Sequence, residues 1–246
     1  MNAAIIGATG LIGQLLLQKL IDSGQYKNIL VLGRNQPHYR NLHDTQVSFI
    51  SCQLSELPSL ELPFAIEHAF CCLGTTIKKA GSQAAFIAVD KTACIDFIAK
   101  CDASKNYVVT ALGANSQSST FYNRVKGETQ EALAEWLNQS QKPANPKRLW
   151  LFQPSLLLGE RKEKRTLEDI GQLLSKLISP LFIGSLKQYR PIEAEKVASA
   201  MLAQALSVQG LSVPAEPAQA LSTQAAPTQL VTLVSNDEML KSLMLK

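Results

Sequence analysis

Apolar residues fall along the chain in two alternating patterns. Short, nearly continuous apolar runs occupy residues 3–6, 28–32, 68–73, 107–112 and 149–152, with a weaker, more polar run at 47–51. Runs of strand length without polar alternation belong to strands buried on both faces. Between them, apolar positions recur at helical spacing over 11–21, 84–99, 122–137, 167–178 and 193–206. Ser23-Gly24 closes the first of these with a C-cap signal. Buried strands separated by helices predict a doubly wound α/β domain with a parallel sheet and right-handed crossovers. A last strand over 230–234 and a last helix over 237–245 follow, with Asn236-Asp237 placed to cap that helix.

Composition narrows the class. The chain has 246 residues, 46% hydrophobic and 18% charged, which suits one folded domain and excludes a wholly disordered chain. Its net charge of +4 comes without a Lys/Arg stripe, so small anionic ligands are favoured and nucleic acid is not indicated. There are five cysteines, no C-x-x-C, and only three histidines, which points away from a metal site. Cys71-Cys72 sits in an apolar run and reads as a pair of buried thiols, implying a reducing compartment. No run has transmembrane length, and the start of the chain lacks a basic leader. A cytoplasmic protein without membrane insertion is expected.

Four signals carry chemistry. Gly7-Ala8-Thr9-Gly10-Leu11-Ile12-Gly13 follows the first strand and opens the first helix. Glycines there allow a tight turn and close approach of a pyrophosphate, and the helix start offers free N–H groups; the fold is therefore of Rossmann type. Gly33-Arg34 ends the second strand, and no acid occurs from 25 to 43. A carboxylate at this position accepts from ribose hydroxyls, whereas a guanidinium suits a 2′-phosphate, so NADP(H) is preferred over NAD(H). The alternative is an exposed loop arginine. Tyr122 and Lys126 are four apart on a predicted helix and so share a face. The ammonium should lower the phenol's pKa and ready it for proton transfer, while Lys126 also reaches a ribose hydroxyl. A plain surface pair is the alternative. Thr110, twelve residues before Tyr122 at the end of the fifth strand, offers a hydroxyl that could hold a substrate oxygen. An ordinary strand threonine is the other reading.

The glycine turn, strand-end hydroxyl and Y-x-x-x-K in this order resemble the short-chain dehydrogenase/reductase (SDR) superfamily. The stretches GATGLIG, VLGRN, CCLGTTIKKAGS, TALGANSQSSTFYNRVKGE and YRPIEAEKVA look more narrowly like the atypical group that includes the Tat-interacting tumour-suppressor protein and its bacterial relatives. The resemblance implies NADP(H) binding through Gly7, Thr9, Gly10, Leu11, Ile12, Gly13, Arg34 and Lys126. It further implies backbone contacts from Leu73, Gly74 and Thr75, and places Pro154 and Ser155 beside the nicotinamide. Thr110, Tyr122 and Lys126 become the catalytic set. The superfamily most often has serine where Thr110 stands, and asparagine near Asp90.

The domain reading is then a nucleotide-binding unit over 1–206 with a substrate-side segment at about 161–191. Residues 207–229, with three prolines and one acid, read as a poorly ordered polar insert, and 230–246 pack back on the same domain. The charge run at 160–165 reads as a solvated loop. Two functions compete. One is an oxidoreductase moving hydride to or from a carbonyl-type small molecule. The other is a non-catalytic NADPH-sensing protein that regulates a partner. A homodimer is left open.

Overall fold

A computed structural model of the chain describes residues 1–41, 44–142, 146–158, 189–207 and 230–241. The strands are β1 (Asn2–Ile6), β2 (Asn28–Gly33), β3 (Gln46–Ser51), β4 (His68–Cys71), β5 (Lys105–Val109), β6 (Arg148–Gln153), β7 (Leu157–Leu158), β8 (Ile192–Glu193) and β9 (Val231–Ser235). Seven of them form one sheet in the order β3-β2-β1-β4-β5-β6-β9, and every pairing is parallel. The two-residue strands β7 and β8 pair separately. The helices are α1 (Leu11–Asp22), α2 (Ile77–Ala80), α3 (Gln83–Ile87), α4 (Ala93–Cys101), α5 (Phe121–Gln139), α6 (Ala194–Leu206) and α7 (Asn236–Lys241). The predicted helix over 167–178, the charge run at 160–165 and residues 208–229 lie outside the described residues.

Apolar strands form because the sheet is covered on both sides. Ala3 and Ile5 of β1 face one apolar layer, and Ala4 and Ile6 face the other. In β6, Trp150 and Phe152 point to the first layer while Leu149 and Leu151 point to the second. The first layer is closed by α1 and α6, which share Leu16, Leu20, Val197 and Met201. An ion pair from Lys19 to Glu195, at 2.6 Å, also joins those helices. The second is closed by α4 and α5 through Phe97, Ile98, Leu133 and Leu137. Across the first layer Tyr107 stacks on Phe70 at 4.8 Å and on Trp150 at 4.9 Å, so the aromatic rings follow the strand register. His68 ends this row, buried and hydrogen-bonded to Tyr26 at 2.8 Å. Burial, chiefly, pushes its pKa down to about 4.

Three details differ from the sequence expectation. β4 and β5 stop at Cys71 and Val109, earlier than predicted. The predicted helix over 84–99 is interrupted by a π-helical turn, Ala88–Thr92, between α3 and α4. Asn236-Asp237 does not cap α7. Ser235 and Glu238 do so reciprocally, with each backbone N–H bonded to the other's side chain.

Gly127, inside α5, is fixed by close approach. A Cβ there would lie 2.1 Å from Ser116 N and 2.2 Å from Asn115 C, both backbone atoms. Gly127→Ala should therefore lower stability by about 3 kcal/mol, as overpacking against a rigid neighbour does. Chemical denaturation checks this, and an unchanged midpoint would mean that the 115–116 loop moves aside freely.

Candidate functional site

Because all seven strands run parallel, the loops after β1, β4, β5 and β6 emerge at one edge of the sheet. The order reverses at β1, between β2 and β4, which is where doubly wound sheets open a crevice. The glycine turn lies there. Gly7 has φ +79°, and a Cβ on it would sit 2.5 Å from the Cys72 carbonyl. A Cβ on Gly13 would sit 2.2 Å from Gly7 O. These two glycines let backbone pass backbone. Gly10 differs, because its Cβ would meet only Gly7 O, at 3.2 Å. It occupies the N-cap of α1 in an extended conformation, with no side-chain cap and no acid in the first turn. The first-turn N–H groups of Leu11, Ile12 and Gly13 therefore have no helical acceptor. Thr9 is exposed at the tip.

Arg34 is exposed beyond the end of β2, and a hollow of about 440 Å³ lined by Gln36, Pro37, His38 and Tyr39 follows it. After β4 the chain passes through Leu73 and Gly74 to Thr75, whose N–H turns inward to Asp90 Oδ2 at 2.9 Å. After β6, Ser155 donates its N–H to Asn236 Oδ1 at 3.1 Å and its hydroxyl to Arg190 O. Asn236 Nδ2 donates to the same carbonyl at 2.9 Å. The Pro154–Ser155 loop is thus tied to the last strand–helix unit. Asn236, read from sequence as a cap, is the residue that makes the tie.

Tyr122 and Lys126 project from the first turns of α5 toward the π-turn. The Tyr122 ring lies 5.6 Å from that of Phe86. Lys126 is buried and its Nζ lies 2.6 Å from Asp90 Oδ1, with Asp90 fully buried. This changes the electrostatic expectation for the tyrosine. The Tyr122 pKa is raised, not lowered. Burial is the largest cause, the Lys126 cation works against it, and the Asp90 carboxylate adds to it. The ammonium was anticipated and its counter-ion was not. Asp90 stands at helical spacing between Phe86 and the buried Ala93, Cys94 and Phe97. An acid on an apolar stripe needs a partner, and that was the available signal.

Thr110 is engaged within the sheet. Its hydroxyl donates to Phe152 O at 3.1 Å and accepts from Gln130 Nε2 at 2.9 Å, in a buried setting. In this arrangement the hydroxyl bonds across the sheet to β6 and to α5. The five cysteines are all free thiols, and burial pushes Cys72 up to about 12. Among the described residues no cluster of His, Cys, Asp and Glu is arranged to hold a metal, and no helix is long and apolar enough to cross a membrane.

No family model matches the chain. Protein HTATIP2 of Rattus norvegicus is 32% identical over 170 residues, covering 65% of this chain. The chain spans 64% of that protein, just under two thirds of its length. Protein FMP52 of Coccidioides immitis is 27% identical over 219 residues, covering 84% of this chain and 86% of the relative. Among solved structures, a short-chain type dehydrogenase/reductase from Mycobacterium ulcerans superposes with a TM-score of 0.61 at 14% identity, over 99% of this chain and 93% of the other. MoeE5 in complex with UDP-glucose and NAD gives 0.63 at 13% identity, over 98% and 80%. The cytoplasmic expectation does not survive: the FMP52 relatives from Coccidioides immitis, Candida albicans and Emericella nidulans are named mitochondrial. The fold is thus of Rossmann type, and in sequence the chain is similar to HTATIP2 and FMP52.

Proposed function

We propose that the chain is an NADP(H)-dependent oxidoreductase acting on a carbonyl-type small molecule. The observation that carries this reading is the face of α5 that presents half-buried Tyr122 beside buried Lys126, set at the same sheet edge as the glycine turn. A dinucleotide fits the residues present. The first-turn N–H groups of α1 and its positive dipole end suit a pyrophosphate, and the side-chain-free face of Gly10 leaves room for it. When bound, the nicotinamide gives or takes the hydride. Lys126 holds the ribose. Tyr122, whose phenol burial holds in the protonated form, donates its proton to the substrate oxygen when the carbonyl is reduced. Arg34, with no acid nearby in sequence, takes the 2′-phosphate that distinguishes NADP from the NAD held by MoeE5. One observation favours the non-catalytic, NADPH-sensing alternative: the Thr110 hydroxyl is already bonded to Phe152 O and to Gln130. A screen of carbonyl compounds for NADPH oxidation separates the two.

NADPH should bind more tightly than NADH, and Arg34→Ala should narrow the gap by about 1.5–3 kcal/mol, the worth of hydrogen bonds to a charged group. Fluorescence titration of both cofactors measures this, and equal affinities in the unmutated protein would overturn the NADP assignment.

Gly10→Val should abolish NADPH binding while lowering the melting temperature only modestly, because its Cβ would press on a single backbone atom, Gly7 O at 3.2 Å. Calorimetry showing unchanged affinity would remove the glycine turn from the cofactor site.

Tyr122→Phe should cut turnover by about two to four orders of magnitude, as loss of a general acid does, with NADPH affinity barely altered. A variant with full rate would remove Tyr122 as the proton donor.

A further inference from the structure

Lys126 is a cation with almost no water around it. Burial by itself favours the neutral amine, yet the lysine is held above its ordinary pKa by the charges it faces: Asp90 foremost, then Tyr122 and Cys94. These come from three different elements, the π-turn, α5 itself and α4. Farther out, the half-buried pair Lys91–Glu128, at 2.7 Å, joins the same π-turn to α5.

Asp90 reaches in three directions. Oδ2 accepts the Thr75 N–H from the loop after β4. Oδ1 lies 2.6 Å from the ammonium, which compensates it by charge and by a charge-assisted hydrogen bond. Its own carbonyl lies 3.1 Å from the Thr129 hydroxyl of α5, which also donates to Val125 O at 2.7 Å. One buried carboxylate therefore touches both the loop after β4 and the lysine of α5.

We propose that Asp90 is a positioning residue of this site, whose buried carboxylate keeps Lys126 an ammonium and locks it to the Thr75 backbone, so that the cation and the loop after β4 hold one shared geometry. The proposal rests on the reading of Lys126 as the ribose-holding residue, and extends it to the acid that makes that cation tenable. A buried ammonium without a counter-charge gives up its proton.

The test is Asp90→Asn, which keeps an acceptor for Thr75 and removes the charge. Two readouts are taken between pH 7.5 and 9.5, beside Asp90→Glu and the double variant Asp90→Asn/Lys126→Met. In the unmutated protein NADPH affinity should be flat over this range. In Asp90→Asn it should fall about tenfold as Lys126 loses its proton. Asp90→Glu should restore the flat profile. The second readout is stability without cofactor. In Asp90→Asn the folded lysine has a depressed pKa while the unfolded one keeps its proton, so stability should rise with pH relative to the unmutated protein. The double variant should lose that slope. If Asp90→Asn fails to fold but the double variant folds, the orphaned ammonium is the cause and the proposal stands. If both fail to fold, or if Asp90→Asn has the pH profiles of the unmutated protein, it is overturned. Absence of NADPH binding in the unmutated protein would instead sink the cofactor reading, and the stability readout would still judge the role of Asp90 toward Lys126.

Discussion

At the carboxyl ends of β1 and β4, backbones pass closer than a Cβ permits. Gly7 sits against the Cys72 carbonyl, and Gly13 against Gly7 itself. This constraint sets how α1 leaves the sheet, and so where its uncapped N-terminus lies relative to the loop after β4. The remaining site follows from parallel pairing, which brings the loops after β5 and β6 to the same edge. Two of the three glycines are thus demanded by the protein, and the third is the one left free to answer to a ligand.

The chemistry of α5 is governed by a different kind of constraint. Lys126 could enter the interior only with a counter-charge, and Asp90 provides it from the π-turn. The nearly neutral pair no longer acts on Tyr122 as a lone ammonium would, and burial then dominates the phenol. The same two residues that suggest a tyrosine poised to lose its proton therefore give one that retains it. A buried ion pair of this kind adds little net stability, because desolvation offsets the attraction, but removing one member is costly.

What could be read from the sequence was local. The strand runs, the Ser23-Gly24 stop and the shared face of Tyr122 and Lys126 each depend on neighbours within a few positions, and each appears in the structure. What escaped was made by partners far apart in the chain. The Thr110 hydroxyl is engaged by Phe152 and Gln130, across the sheet and from α5. Asn236 bonds Ser155 and Arg190 rather than its own helix. Asp90 was visible as an acid on an apolar stripe, but its partner lay on another helix. The compartment was misjudged for another reason: unpaired thiols indicate a reducing environment, and more than one compartment is reducing.

The tie from Asn236 to the loop after β6 has a consequence for synthesis. β9 covers β6 at the sheet edge, and the turn into α7 pins Ser155. While the ribosome is still making the final segment, the earlier strands can pair, but Arg148–Gln153, an aromatic and aliphatic run, remains a bare edge. The nascent chain therefore passes through a stage with most of its sheet and an unfinished loop beside the crevice. A chain released early would keep that sticky edge. β9 thus both covers the edge of β6 and brings Asn236 to the loop that follows it.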